Sequence, residues 1–289
     1  KNVQKSETNI MLKIKNNKNK YTNMKATLEE SFWPCAVHPN MICKKGEKSD
    51  FARGIVEHMI DEKMSGKRIL NFGFEDYPVS KIISKEYNPE ISVGFSFFRL
   101  GKKNKKNLLL TNDIEDVQEN GPYDIILIYD VIDHIQEDPV DILKEAKDLL
   151  KKNGTIYVRF HPFCSRNALH LHHDLNKAYI HLLFTGKELD MIVPNNKKKY
   201  NRGIINPSLY DDYIKTSGLK VKYKREVLEV RNWPFYTSKE KVLNPRVELN
   251  EIFKENKRKI SQINEVKNWK RFIGLIDRNI EYIDYALVK

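Results

Sequence analysis

Short apolar runs alternate with amphipathic stretches through the middle of the chain, which is the pattern of strands alternating with helices. The clearest run is at residues 124–129 (DIILIY), which are nearly all apolar and β-branched, as in a strand buried on both faces. Four further strands are predicted at residues 67–73, 91–96, 107–113 and 155–160. Such strands need helices above and below them, so the pattern predicts a doubly wound, mostly parallel α/β sheet.

The stretch between the fourth and fifth predicted strands has the features of a crossover helix. Asp138 and Pro139 suit its first turn, where the N–H that proline lacks has no intrahelical partner. Apolar residues repeat at helical spacing over residues 142–150, and Asn153-Gly154 is predicted to end the helix. Together with the strands on either side, this helix predicts a parallel βαβ unit.

Further elements are predicted on both sides of this unit. Ser49-Asp50 is predicted to cap a helix that continues through Met59, and residues 79–87 are predicted to form the helix after the first strand. Towards the end of the chain, the pattern predicts a helix at residues 208–216 and strands at residues 220–230 and 280–288.

Charge divides the chain into a basic leader and one large domain. The net charge is +12, and residues 1–25 carry seven Lys against one Glu. We predict a leader and capping segment at residues 1–48 and an α/β domain at residues 49–289, with a His-rich helical insertion at about residues 163–205. Other lysine clusters lie at residues 102–106, 197–199 and 254–259. Such clusters can neutralise nucleic-acid phosphates, although lysine runs are also common on plain solvated surface.

Membrane and disulfide-rich classes do not fit the sequence. No apolar run approaches the roughly 20 residues of a membrane span, so we expect a soluble intracellular protein, in the cytoplasm, without a membrane partner. The three cysteines, Cys35, Cys43 and Cys164, are too few and too scattered for a disulfide framework. Cys35, His38 and Cys43 have zinc-ligand types, but no fourth ligand is evident, and buried thiols explain them better, so no metal is predicted.

The succession of elements resembles the class I S-adenosylmethionine-dependent methyltransferase fold, a seven-stranded sheet whose last strand inserts antiparallel beside the sixth. The segment YDIILIYDVIDHI at residues 123–135, followed by ILKEAKDLLKKNGTIYV at residues 142–158, carries the resemblance. It is similar to the family's run from an acidic strand end, through an acidic-His turn, to a helix with a Gly-marked stop. Residues 165–184 also resemble a block found in methyltransferase-like proteins of bacteriophages, which fits a viral origin.

The resemblance implies S-adenosylmethionine as cofactor and assigns its pocket residue by residue. The implied cofactor-binding residues are Asn71, Gly73, Ser96, Asp113, Ile114 and Asp130. The family has an acidic residue and three alternate glycines after the first strand. Here only Gly73 remains, and Glu75 and Tyr77 stand at the positions of the other two glycines. Ser96 stands where the family has an acid that holds both ribose hydroxyls, and a serine cannot accept two hydrogen bonds as a carboxylate does. These departures predict a weakened affinity for the cofactor.

Histidines cluster where the substrate of such a fold would lie. Six of the eight are between residues 134 and 181, after the carboxyl ends of the fourth and fifth strands. The predicted catalytic residues are His134 or His161 as the base, with Asp130 or Asp133 as the acid that orients it. The predicted substrate-binding residues are Arg166, His170, His173 and Lys177. The alternative for each histidine is a hydrogen-bonded packing residue or a contact to a partner.

The sequence leaves two functions open. One is methyl transfer from S-adenosylmethionine to an oxygen or nitrogen nucleophile, with a nucleic acid or a nucleotide as the expected acceptor and a small acidic metabolite as the alternative. The other is a catalytically silent methyltransferase-like fold that serves as a nucleic-acid-binding or structural subunit of a larger assembly. Fold alone does not decide between them.

Overall fold

The computed structural model describes residues 47–73, 78–97, 101–132, 137–162, 208–228 and 280–289. Eight strands of these residues form one sheet in the order β3-β4-β2-β1-β5-β6-β8-β7. The strands are β1 (Arg68–Gly73), β2 (Ile91–Ser96), β3 (Lys103–Lys105), β4 (Leu108–Thr111), β5 (Tyr123–Tyr129), β6 (Leu150–Phe160), β7 (Lys220–Leu228) and β8 (Ile280–Val288). The five adjacent strands β4, β2, β1, β5 and β6 run parallel to one another, whereas β3 and β8 run antiparallel to their neighbours. The predicted doubly wound, mostly parallel sheet is confirmed.

Helices cover the sheet on both faces because its central strands are apolar on both sides. The described helices are α1 (Glu47–Met59), α2 (Val79–Glu86), α3 (Ile114–Glu119), α4 (Pro139–Leu149) and α5 (Ser208–Thr216). On one face α1 and α2 pack against alternate residues of the strands, including Ile69, Ile125, Leu127 and Tyr157. On the other face Phe160 of β6 stacks on Tyr210 of α5, with ring centroids 4.2 Å apart. None of the described helices combines the length and apolar composition needed to cross a bilayer.

The crossover helix begins as predicted and ends earlier than predicted. The Asp138 carboxylate caps α4 by accepting a hydrogen bond from the Val140 N–H at 2.8 Å, with Pro139 in the first turn. The helix ends at Leu149, and Asn153-Gly154 lies inside β6. Two contacts favour the early strand: Leu150 pairs with Tyr123, and Lys151 Nζ lies 2.7 Å from Asp124 Oδ2. A Cβ at Gly154 would lie 2.8 Å from the Asp124 carbonyl oxygen, so the glycine serves this close approach rather than a helix end.

The start of α1 also corrects the sequence prediction. The helix already includes Glu47 and Lys48, so Ser49 and Asp50 are inside it rather than at its cap. Glutamate and lysine are good helix formers, which explains the extension. The Asp50 carboxylate accepts a hydrogen bond from Arg53 Nη1 at 2.6 Å, one turn later.

The eighth strand has no counterpart among the seven that were predicted. β3 is three residues long, wholly exposed, and antiparallel to β4 at the edge of the sheet. It carries no apolar alternation, which is the signal on which strand prediction depends. Elsewhere the bounds of β2, α5 and β8 are those predicted from the sequence.

Candidate active site at the carboxyl ends of the strands

Five of the predicted site residues lie at one edge of the sheet. Gly73 ends β1 and is in register with Ser96, which ends β2. Asp113 follows β4, Asp130 follows β5 and His161 follows β6. Because these five strands are parallel and adjacent, their carboxyl ends meet at the same edge. The topology thus brings together residues that are spread over almost ninety positions of sequence, and the edge is the candidate site.

Gly73 makes a close packing contact that does not depend on a ligand. A Cβ added at this position would lie 2.3 Å from Val131 Cγ2, far inside van der Waals contact. Val131 follows β5 and is fully buried, so its side chain fills the space that a larger residue at position 73 would need. Asn71, two residues earlier in β1, is also buried, at 4% exposure. The sequence offered no sign of the Val131 contact.

The residues after β4 form a fixed, exposed rim. The Asp113 carboxylate caps α3 by accepting a hydrogen bond from the Glu115 N–H at 3.0 Å, and Ile114 is the first residue of that helix. The Asp113 N–H in turn donates to Thr111 Oγ1 at 3.0 Å. Asp113 is exposed and Ile114 partly so, which leaves both within reach of a bound ligand.

Asp130 turns the chain sharply at the end of β5. Its φ is +52°, in the left-handed region that only a few per cent of non-glycine residues adopt, aspartate among the more tolerant. Such backbone costs about 1 kcal/mol or more and is frequent at functional sites. The two residues that follow, Val131 and Ile132, are fully buried, so the turn at Asp130 directs the chain back into the core.

Aromatic rings lie beside Ser96 at the ends of β1 and β2. Phe72 and Phe95 stack with centroids 5.2 Å apart, and the edge of Phe97 meets Phe95 at 5.1 Å. Ser96 is 6% exposed, whereas Phe97 is partly exposed and so borders the site. Phe97 is a site residue that sequence reasoning missed, although the run FSFF at residues 95–98, which overlaps the end of the second strand, could have indicated it.

His161 is held firmly at the end of β6. It is 4% exposed, and its ring centroid lies 4.7 Å from that of Tyr282. Its carbonyl oxygen accepts a hydrogen bond from the Tyr210 hydroxyl at 3.4 Å. These contacts from α5 and β8 fix both the backbone and the ring.

A buried ion pair between β6 and β8 includes Arg159, two residues before His161, and was not predicted. Arg159, which is fully buried, donates from Nε and Nη2 to the two carboxylate oxygens of Asp284, at 2.6 and 2.8 Å. Arg225 Nη2 donates to the same carboxylate at 3.0 Å. The Arg159 guanidinium also lies over the rings of Tyr129 and Tyr282, 5.4 and 4.5 Å from their centroids. Arg159 within the apolar run TIYVRF, together with Asp284 in the middle of IEYIDYALV, is the sequence signal that could have found the pair.

The ion pair shifts the pKa of Asp284 and of the neighbouring His58. Burial by itself raises the pKa of Asp284, but attraction and hydrogen bonds from Arg159, and then from Arg225, outweigh it and hold the pKa below its usual value. The pKa of His58 is lowered by burial, then by repulsion from Arg159 and Arg225. His58 Nε2 lies 3.7 Å from Asp284 Oδ2, so the imidazole faces the ion pair. Because its pKa is lowered, the imidazole is in its neutral form at neutral pH.

The family comparison agrees with this topology. Residues 87–158, from the end of α2 to within β6, match the family model described as a methyltransferase domain. The segment includes Asp113 and Asp130, and β8 lies antiparallel between β6 and β7, as the resemblance predicted for the last strand. The chain has the class I methyltransferase fold. The predicted resemblance to the class I S-adenosylmethionine-dependent superfamily is confirmed over this segment.

Solved structures, among them two methyltransferases, are similar to the chain at low identity. One is the cyclopropane synthase MmaA2 from Mycobacterium tuberculosis, with 13% identity, 90% of this chain and 89% of that chain covered, and a TM-score of 0.45. Another is an S-adenosylmethionine-dependent methyltransferase from Mesorhizobium loti, with 9% identity, coverage of 82% and 96%, and a TM-score of 0.45. Phosphoethanolamine N-methyltransferase 2 from Haemonchus contortus, solved with S-adenosyl-L-methionine, has 14% identity, coverage of 83% and 52%, and a TM-score of 0.44. No curated protein sequence matches the chain.

Several predicted residues of the candidate site lie outside the described residues. These are His134, Arg166, His170, His173 and Lys177, together with Glu75 and Tyr77 of the cofactor loop. The basic leader before residue 47 and the His-rich insertion also lie outside them. The roles given to these residues stay predictions.

The contact between Gly73 and Val131 gives a direct test of why this position of the methyltransferase fold holds glycine. Gly73→Ala is expected to lower the free energy of unfolding by about 1–3 kcal/mol, because the added methyl group overpacks the core at Val131. Adding Val131→Ala removes the obstructing methyl groups, so the double variant should be no less stable than Val131→Ala alone. Urea denaturation of the four proteins measures both effects. Strictly additive losses would show that the Val131 contact does not require the glycine.

Proposed function

We propose that this protein transfers a methyl group from S-adenosylmethionine to an oxygen or nitrogen nucleophile. The observation that carries the proposal is the segment matched to the methyltransferase domain, which contains Asp113 and Asp130 at the carboxyl ends of parallel strands. When bound, S-adenosylmethionine supplies an electrophilic methyl group on a sulfonium.

The described residues fit an adenosine group at the β2 and β4 side of the edge. Phe97 offers an apolar aromatic face, and Asp113 and Ile114 offer an exposed rim whose backbone is fixed by the α3 cap. The Ser96 hydroxyl can make one hydrogen bond to a ribose hydroxyl, where a carboxylate could accept two. Compared with the family pattern, the proposed adenosine site thus lacks one charged contact.

His161 is the described residue best suited to act as the base. A nucleophile that carries a proton must lose it as its bond to the methyl carbon forms and the bond from that carbon to sulfur breaks. The neutral imidazole of a histidine can take that proton near neutral pH. Tyr282 and Tyr210 hold His161 at the carboxyl end of β6, next to the end of β5 and Asp130. This position supports a role in positioning the acceptor and removing its proton.

A second function is favoured by two observations at the same edge. Ser96 replaces the carboxylate that a ribose would need, and Gly73 is explained by Val131 rather than by a cofactor. Both observations are expected of a methyltransferase fold without methyl transfer. Such a protein would work as a nucleic-acid-binding or structural subunit of an assembly. The net charge of +12 supports a nucleic acid or nucleotide as acceptor under the first function and as ligand under the second.

Calorimetry of cofactor binding separates the two functions. The wild-type protein is expected to bind S-adenosylmethionine weakly, and Ser96→Asp to bind it at least about tenfold more tightly, because a hydrogen bond to a charged group contributes roughly 1.5–3 kcal/mol. Asn112→Asp is the matched control, since it adds the same charge at an exposed position near the rim. Thermal unfolding checks that Ser96→Asp is folded.

Three outcomes decide the matter. Weak binding by the wild type that Ser96→Asp strengthens and Asn112→Asp does not, together with transfer of a labelled methyl group, supports the enzyme. Absence of binding to S-adenosylmethionine and S-adenosylhomocysteine in both the wild type and Ser96→Asp overturns it and leaves the silent fold. Equal strengthening by both substitutions would show that Ser96 does not lie at a ribose.

A further inference from the structure

The hairpin formed by β3 and β4 concentrates positive charge at the side of the sheet where β3 is the outermost strand. Four of the five residues from 102 to 106 are lysines, and all of them are exposed. Lys102 is engaged, since its Nζ lies 2.5 Å from Asp116 Oδ1. Among the described residues, no ion pair involves Lys103, Lys105 or Lys106. Within the described part of the chain, three positive charges therefore have no ion-pair partner.

These three charges are held on a rigid support. Lys103 pairs with Leu110 and Lys105 with Leu108, in the antiparallel ladder of the hairpin. Lys106 makes the turn with a φ of +51°, a left-handed conformation for which glycine would be the unstrained residue. A lysine at that position keeps its charge at a cost in backbone strain of about 1 kcal/mol.

The hairpin is joined to α2, which continues the positive surface. The Asn107 side chain accepts a hydrogen bond from Ser84 Oγ at 2.7 Å and donates to the Ser84 carbonyl oxygen at 3.2 Å. Ser84 lies on α2 between two exposed lysines, Lys81 and Lys85. The anchor therefore brings the lysines of the turn next to those of the helix.

Three acidic residues near this surface, Glu86, Glu90 and Asp116, are engaged by other cations. Glu86 accepts two hydrogen bonds from Arg53, at 2.7 and 2.8 Å. Glu90 lies 2.5 Å from Arg68 Nη1. At the other end of the hairpin, Asp116 holds Lys102. The surface formed by Lys81, Lys85, Lys103, Lys105 and Lys106, here called the basic edge, thus keeps a net positive charge.

We propose that the basic edge binds the phosphate backbone of a nucleic acid. Lysine ammonium groups on a rigid support neutralise phosphates without reading sequence, so binding should be general in sequence and strongly salt-dependent. The turn at Lys106 directly precedes β4, so it lies at the amino ends of the parallel strands, and the candidate site lies at their opposite ends. The proposal does not require methyl transfer. A competing role for the lysines is to prevent pairing of an exposed edge strand with another chain.

Fluorescence anisotropy with a short labelled RNA strand and a labelled DNA duplex tests the proposal on the full chain. The test variant is Lys103→Gln, Lys105→Gln and Lys106→Gln combined. The control is Lys144→Gln, Lys152→Gln and Lys215→Gln, which removes the same charge from exposed positions on α4, β6 and α5. Over a salt series from about 50 to 200 mM, the test variant should lose affinity roughly tenfold and its duplex salt slope should fall by about 2 to 3 relative to wild type.

The control and the oligomeric state make the test decisive. The control variant should keep the wild-type salt slope. Equal losses in both triple variants would show that only net charge matters, and unchanged binding in the test variant would place any affinity elsewhere; either result overturns the proposal. Binding to vesicles of anionic lipid without binding to nucleic acid also overturns it. Self-association of the test variant in light scattering, with nucleic-acid binding unchanged, would support edge protection instead.

Discussion

Replacing Asp284 by asparagine is expected to lower the free energy of unfolding by about 3–5 kcal/mol. The carboxylate accepts hydrogen bonds from Arg159, which is fully buried, and from Arg225, so its loss leaves two guanidinium groups facing an uncharged amide in the core. Urea denaturation at neutral pH measures the loss. The control is Asp141→Asn, in an exposed ion pair with Lys144 at 3.6 Å, which should leave the stability nearly unchanged.

The pH dependence of this difference has a definite sign. Because the pKa of Asp284 in the folded protein is below the ordinary value of 3.8, the ionised carboxylate stabilises the fold at every pH above that value. The stabilisation is lost as the pH falls below 3.8 through the folded pKa, so the wild-type protein and Asp284→Asn should converge in stability there. A constant difference down to strongly acidic pH would show that shape, and not charge, accounts for the effect.

His161→Ala is expected to reduce methyl transfer by roughly 10²–10⁴-fold, the usual contribution of general acid-base catalysis. The expectation rests on the proposed function and on the position of His161 at the carboxyl end of β6, fixed by Tyr282 and Tyr210. Affinity for S-adenosylmethionine should change little, because the proposed adenosine contacts lie on the β2 and β4 side of the edge. Single-turnover transfer of a labelled methyl group, with calorimetry alongside, measures the two quantities.

Two further variants guard the interpretation of that result. His161→Gln keeps most of the side-chain volume beside Tyr282, so it should retain stability while still losing turnover. His58→Gln, which replaces a histidine on α1 that faces Asp284, should leave turnover within about a factor of two. If His161→Ala keeps wild-type turnover, His161 is a packing residue and a group outside the described residues, such as His134, must take the proton.

The strongly patterned parts of the fold could be predicted from the sequence, and the weakly patterned parts could not. The run at residues 124–129 and the segments that became β2, α5 and β8 are apolar at the period of their element, so their bounds were predicted to within a residue. β3 and the short helix α3 have no such pattern. The early start of β6 depends on Lys151 meeting Asp124, a contact that no local signal announces.

The candidate site divides in the same way. That Gly73, Ser96, Asp113, Asp130 and His161 share one edge follows from the parallel order of the strands, which the sequence pattern indicates. The pair of Arg159 and Asp284 joins positions 125 residues apart, and the contact between Gly73 and Val131 depends on the detailed shape of the core. Such contacts are consequences of packing and lie beyond any periodicity.

The insertion of β8 between β6 and β7 has a consequence for the order in which the protein can be built. Within the described part of the chain, β7 joins the sheet only through β8, and the acid that matches Arg159 is also on β8. On the ribosome, residues 220–228 therefore emerge long before the strand that connects them to the rest. Until residues 280–288 leave the exit tunnel, β6 lacks its neighbour β8 and Arg159 lacks the carboxylate of Asp284. This side of the sheet therefore forms only after β8 has been synthesised.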